Sequence, residues 1–99
     1  METISVKSLN ELMAKEAINL IDVREKEEYD SFHIPCAKNI PLSDVYHDKM
    51  SLDKEDTYYI VCKGGTRSRK AAEFLADHGY NVVDVMGGTL AWGEMFPRS

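Results

Sequence analysis

This chain of 99 residues is short of several things, and each shortage excludes something. It has two cysteines, Cys36 and Cys62, and no C-x-x-C pair. A disulfide scaffold, a zinc knuckle and a dithiol redox motif are therefore all poor fits. Its three histidines, His33, His47 and His78, are scattered, with no two at helical i, i+4 spacing. No metal site and no cofactor are expected from that pattern. Apolar runs are short, and none approaches the ~18 uninterrupted residues of a membrane helix. The opening METISVKSLNELMAKE is amphipathic and acidic, not a basic stretch followed by an apolar one, so it does not read as a secretory signal. The expected location is the cytoplasm, where both thiols stay reduced. Positive charge is also scarce. Twelve Lys and Arg face 17 Asp and Glu, a net charge of −5, which makes nucleic acid and anionic membranes poor partners.

What is present is an ordinary globular composition, 43% apolar and 29% charged, in a length that suits one core rather than two. Residues 1–99 are read as a single domain, expected to act as a monomer; the start at Met1 and the stop soon after Trp92 suit a free-standing one. Ile4–Val6 is a short β-type run, and Ser8 with Glu11 three residues on reads as a capping box. Leu9, Leu12 and Met13 give the following helix one apolar stripe. Ile18–Val23 is nearly continuous apolar, as a strand buried on both faces would be. Glu25–Phe32 reads as a short charged helix ended by His33-Ile34-Pro35, Ala37–Ile40 as a short strand, Leu42–Lys49 as a helix, and Ser51–Asp56 as a polar turn. Tyr58–Val61, rich in aromatic and β-branched residues, is the strongest strand. From Ser68 the helical period returns, with Ala71, Ala72, Leu75 and Ala76 on one face and Gly79 at the end. Asn81–Met86 is a last strand, Gly87-Gly88 a turn, and Thr89–Met95 a closing helix. Strands alternating with helices predict an α/β fold, a mainly parallel central sheet flanked by helices on both faces.

The chemistry is concentrated where the strongest strand runs into Cys62-Lys63-Gly64-Gly65-Thr66-Arg67 and then a helix. In such sheets ligands bind beyond the carboxyl ends of the strands. Free N–H groups at the start of the next helix favour negative charge. Gly64 and Gly65 can take positive φ and turn successive amides inward as an anion nest, while Lys63 and Arg67 add fixed charge. A lone cysteine after a strand is most often a small buried hydrophobe. Here it coincides with a glycine pair, two cations and a helix start, which points to a stabilised thiolate.

These residues also resemble a known family. Cys62 to Arg67 followed by Ser68 is similar to the six-residue active-site loop of the rhodaneses, the single-domain sulfurtransferases. Asp22-Val23-Arg24 with Glu28-Tyr29, His33-Ile34-Pro35 and Asn39-Ile40-Pro41 resembles their upstream motif. Gly87-Gly88 with Trp92 resembles their closing one. The resemblance implies that Cys62 accepts sulfur as a persulfide and that Lys63, Gly64, Gly65, Thr66 and Arg67 surround it, with Ser68 opening the helix. It departs at Cys36, where the family usually has Gly. Asp22 and Arg24 are expected to form an internal ion pair, His33 to be a hydrogen-bonded turn residue, and Trp92 to pack in the core.

Three functions compete. The leading one is sulfur transfer, from a small anionic donor such as thiosulfate or a persulfide to cyanide or a thiol, including a protein thiol, through covalent Cys62. The second is a non-catalytic binding module, although inactive members typically lack the cysteine. The third is a cysteine phosphatase, whose loops place five residues between Cys and Arg rather than the four seen here.

Overall fold

The structure is a computed structural model that describes residues 1–47 and 52–97. Five strands form one sheet: β1 (Glu2–Ile4), β2 (Asn19–Asp22), β3 (Lys38–Asn39), β4 (Thr57–Val61) and β5 (Asn81–Val85). Their order is β1-β5-β4-β2-β3, and every pairing is parallel. Five helices lie between and after them: α1 (Val6–Lys15), α2 (Lys26–Ser31), α3 (Leu42–Tyr46), α4 (Thr66–Asp77) and α5 (Gly88–Met95). Among the described residues no helix is long and apolar enough to cross a membrane.

The period of two along β4 builds the core on both sides of the sheet. Tyr58 and Ile60 face α3 and α4, where Val45, Ala71, Ala72 and Leu75 meet them. Tyr59 and Val61 face the opposite way, with Leu20 and Val85, toward Val6 and Leu9 of α1 and Trp92 of α5. The expected α/β sheet with helices on both faces is what forms. Continuing the alternation one step past β4 sends Cys62 to the α4 side, into the same cluster as Ile60 and Ala71.

Several element boundaries differ from the sequence reading. The first strand is Glu2–Ile4, not Ile4–Val6, and Val6 already belongs to α1, where it is buried one turn before Leu9. The cap of α1 is Ser5, whose Oγ accepts from the Ser8 N–H at 3.1 Å. Ser8 is therefore inside the first turn. The two serines are three residues apart, and strand pairing, which ends at Ile4 against Val85, decides between them. α4 opens at Thr66 with Gly65 at the N-cap, two residues before Ser68. α5 opens at Gly88 rather than Thr89. α2 is one residue shorter at each end than expected. The helix expected to reach Lys49 is seen over Leu42–Tyr46; residues 48–51, Ser51 of the polar turn included, lie outside the described residues. The rest of that turn closes with the Asp56 N–H donating to the Asp53 carbonyl at 3.2 Å.

Candidate active site

Cys62 follows the carboxyl end of β4 and is buried, 1% exposed. Its sulfur is held from two directions. The Gly65 N–H donates to Sγ at 3.0 Å, and the thiol reaches Ser68 Oγ at 3.4 Å. The first contact requires Gly65 to turn its amide back toward the strand end, at φ 111, a left-handed conformation that suits glycine. Gly64 does not share that role: its φ is not positive, and a β-carbon there would meet nothing within 4 Å. The loop thus needs one glycine for its conformation where the sequence suggested two.

A second pair of glycines locks the loop from behind. Gly87 and Gly88 are both left-handed and start α5. The Thr89 N–H donates to the Cys62 carbonyl at 2.8 Å, and the Leu90 N–H to the Lys63 carbonyl at 3.1 Å. Free amides of one helix start therefore satisfy the carbonyls of the residue that carries the sulfur and of its neighbour. A β-carbon on Gly88 would overlap both of those carbonyl oxygens. Sequence reading treated this glycine pair as a turn and as part of the closing motif, without a role at the Cys62 loop.

The cations of the loop are placed differently from one another. Lys63 and Thr66 are exposed. Arg67 is half-buried and forms a two-pronged pair with Glu28 of α2, NH1 to Oε1 at 2.6 Å and NH2 to Oε2 at 3.0 Å. The pair holds the Glu28 carboxyl down at about 2, chiefly through the guanidinium hydrogen bond. The same bond raises the Arg67 pKa, and the nearby Cys62 sulfur adds to that through space. Glu28 Oε1 also accepts from the Glu25 N–H at 3.2 Å, so the start of α2 and the start of α4 share one carboxylate. Composition gave no sign of this partnership across 39 residues.

The upstream motif holds that frame. Buried Arg24 donates from Nε and NH2 to the buried Asp22 carboxylate at 2.9–3.1 Å, and from NH2 to the Phe32 carbonyl at 2.6 Å. This is the expected internal ion pair. His33 is hydrogen-bonded as expected but lies in the extended segment after α2, before the turn at Pro35 and Cys36: Nδ1 lies 2.9 Å from the Tyr29 carbonyl and the ring stacks on Tyr29 at 3.8 Å. Trp92 is in the core beside Val85. Asp84 of β5, to which sequence reading gave no role, is buried and accepts from Ser68 Oγ at 2.7 Å. An acid flanked by valines inside a strand was the available signal, because a buried charge needs a partner. Among the described residues no group of three or more His, Cys, Asp or Glu could hold a metal ion.

Known proteins are similar to this chain over most of its length. The rhodanese-like domain family model matches residues 5–95. The Bacillus subtilis protein YtwF is 39% identical over 98 residues, which cover 97% of this chain and 95% of that protein. The thiosulfate sulfurtransferase GlpE of Pseudoalteromonas translucida is 31% identical over 90 residues, 90% of this chain and 86% of that one. A rhodanese-like domain protein of Staphylococcus aureus, solved as a crystal structure, superposes with a TM-score of 0.86 at 40% identity, covering 94% of this chain and 92% of that chain. With a buried cysteine at a strand end, a glycine-shaped loop around it and a family match over nearly its whole length, the chain belongs to the rhodanese-like domain family.

Proposed function

We propose that this rhodanese-type sulfurtransferase works through a persulfide on Cys62. The observation that carries the reading is the 3.0 Å hydrogen bond from the Gly65 amide to Sγ at the start of α4. A preorganised N–H aimed at sulfur is in place to stabilise charge that develops there during transfer, without reorganisation. In the first half-reaction the Cys62 thiolate attacks the outer sulfur of a thiosulfate-type donor. The donor's S–S bond breaks, sulfite leaves with the bonding pair, and Cys62 holds one added sulfur. In the second, cyanide or a thiolate attacks that outer sulfur. Thiocyanate or a new persulfide leaves, and the Cys62 thiolate returns.

Lys63, Gly64, Gly65, Thr66 and Arg67 form the donor site. The exposed Lys63 ammonium and the half-buried Arg67 guanidinium attract the anionic donor, and the open side of Gly64 leaves it room. A reducing compartment, the cytoplasm, suits a cysteine that must return to its thiolate. GlpE, which bears thiosulfate in its name, supports thiosulfate as the donor to try first. Intact-mass measurement after incubation with thiosulfate is expected to show a gain of one sulfur atom, removed by cyanide with release of thiocyanate. The same gain in Cys62→Ser would refute the assignment.

A further inference from the structure

Cys62 is buried, 1% exposed, in the cluster it shares with Ala71 and Ala72 of α4. One chain of polar atoms leads away from it. The thiol donates to Ser68 Oγ at 3.4 Å, and Ser68 Oγ donates to Asp84 Oδ1 at 2.7 Å. Ser68 is fully buried and Asp84 is 7% exposed. Asp84 also lines a groove of about 500 Å³ with Gly64, Gly65, Arg69, Glu73 and Met86, so the far end of the chain meets solvent.

Ser68 has one hydroxyl hydrogen and two neighbours that want it besides sulfur: Asp84 at 2.7 Å and the Gly65 carbonyl at 3.2 Å. A charge-assisted bond to carboxylate wins that competition. With Asp84 ionised, Ser68 therefore gives its hydrogen to Asp84 and presents a lone pair to Cys62, which suits a thiol. With Asp84 protonated, the carboxyl donates to Ser68, and Ser68 turns its hydrogen toward sulfur, which suits a thiolate.

We propose that Asp84 is a positioning residue that acts through Ser68, taking up the Cys62 proton by relay and so generating the nucleophilic thiolate. The inference rests on the sulfurtransferase reading. The step balances: the S–H bond breaks as a new O–H bond forms at Ser68, and the original Ser68 O–H breaks as an O–H forms at Asp84. One proton moves from sulfur to carboxylate and no electrons are exchanged. Burial pushes the Asp84 carboxyl above its usual range, which suits a proton acceptor. The other groups around Asp84 are known. Arg69 and Glu73 act on it from α4 with opposite sign, Lys70 lines the same groove, and Met1 lines the adjoining one. Its paired neighbours Ile60 on β4 and Thr3 on β1 are uncharged.

The relay has a kinetic signature. The resting pair (thiol and carboxylate) and the reactive pair (thiolate and carboxylic acid) hold the same number of protons. The one-proton reactive state therefore holds a pH-independent share, and wherever the two sites are coupled through Ser68 the total thiolate falls less steeply toward acid than that of a single group. The test is the rate of Cys62 alkylation by iodoacetamide against pH in a Cys36→Ser background, which requires no sulfur transfer. The parent rate is expected to fall by clearly less than tenfold per pH unit over part of the acidic range, where the coupled pair shares its proton. Asp84→Asn keeps the shape and an acceptor but cannot take the proton, so its rate is expected to fall about tenfold for each pH unit toward acid. Ser68→Ala, which cuts the relay in the middle, is expected to show the same slope. A tenfold-per-unit slope in the parent over the whole range, or a parent-like profile in either variant, overturns the proposal. If Asp84→Asn does not fold, the parent and Ser68→Ala profiles decide. A coupled parent profile without mass gain from thiosulfate would instead leave the relay standing and remove thiosulfate as the donor that loads Cys62.

Discussion

The two cysteines sit in two tight turns at opposite edges of one sheet. The Cys62 turn follows β4; the Cys36 turn precedes β3. Ile21 pairs with both Ile60 and Lys38, so those two residues stand level. Cys62 is two residues beyond that level and Cys36 two residues short of it. At about 3.3 Å per residue they are some 13 Å apart along the strands, besides two strand spacings of about 4.8 Å across. Each turn contains a left-handed residue. In the Cys62 turn it is Gly65, and the cysteine beside it keeps ordinary geometry while receiving the glycine's amide. In the other it is Cys36 itself, at φ 69, where the resemblance gives glycine. Cys36 is exposed, and partial desolvation pushes its thiol up, away from the thiolate. A thiol becomes chemically useful through the amides aimed at it, and only the turn at a strand's carboxyl end, closing on a helix start, has amides to aim.

The strongest way to break this comparison is to remove a charge from the active turn. Arg67→Ala is expected to lower kcat/KM for sulfur transfer by roughly a hundredfold or more, about 2.7–4 kcal/mol for a lost contact to developing charge. Arg69→Ala, at an exposed position two residues further along α4, is expected to lose far less. Steady-state kinetics of both variants check it, and equal losses would show that Arg67 serves only the Glu28 pair.

The glycines sharpen it next. Gly88→Ala places a β-carbon on the Cys62 and Lys63 carbonyls and forces an unfavourable φ, so a stability loss of about 2–4 kcal/mol is expected. Gly64→Ala, in open space at an ordinary φ, is expected to change stability by under about 0.5 kcal/mol. Chemical denaturation of the two variants tests the claim that α5, and not the first loop glycine, holds the turn.

The Arg67–Glu28 pair adds a pH dependence. The Glu28 carboxyl falls from 4.5 to about 2 on folding, so its contribution is complete above pH 4.5 and is lost as pH drops toward about 2. The pair is partly exposed, which limits that contribution to about 1 kcal/mol. Glu28→Gln is expected to remove this portion of the acid sensitivity, read as the difference between the stability–pH curves of variant and parent.

A small effect of opposite sign belongs to the other turn. Cys36→Gly relieves a left-handed β-carbon worth about 1–2 kcal/mol but adds unfolded-state entropy, so a net gain of about 0.5–1 kcal/mol is expected in thermal or chemical denaturation. Sulfur transfer is expected to stay at the parent rate. Mild peroxide is expected to give no Cys36–Cys62 bond in folded protein, because a disulfide needs Cα atoms within about 7 Å. Peptide mapping that finds this bond in good yield would overturn the opposite-edge placement.

The amino-acid sequence by itself determined the local units of this protein. Period-two burial in Tyr58–Val61, the helical period from Ala71 to Leu75 and the glycines between them dictate strand, turn and helix, because those signals depend on neighbours within a few residues. The same locality made the Asp22–Arg24 pair and the importance of Cys62 legible. Only the tertiary structure decided the rest. Arg67 turned out to grip Glu28, α5 to clamp the Cys62 carbonyl, and Asp84 to stand behind Ser68. Each of these joins segments 16 to 39 residues apart by way of the strand order β1-β5-β4-β2-β3. No periodicity in a single chain encodes which strand will lie beside which, so those partners existed only once the sheet was assembled.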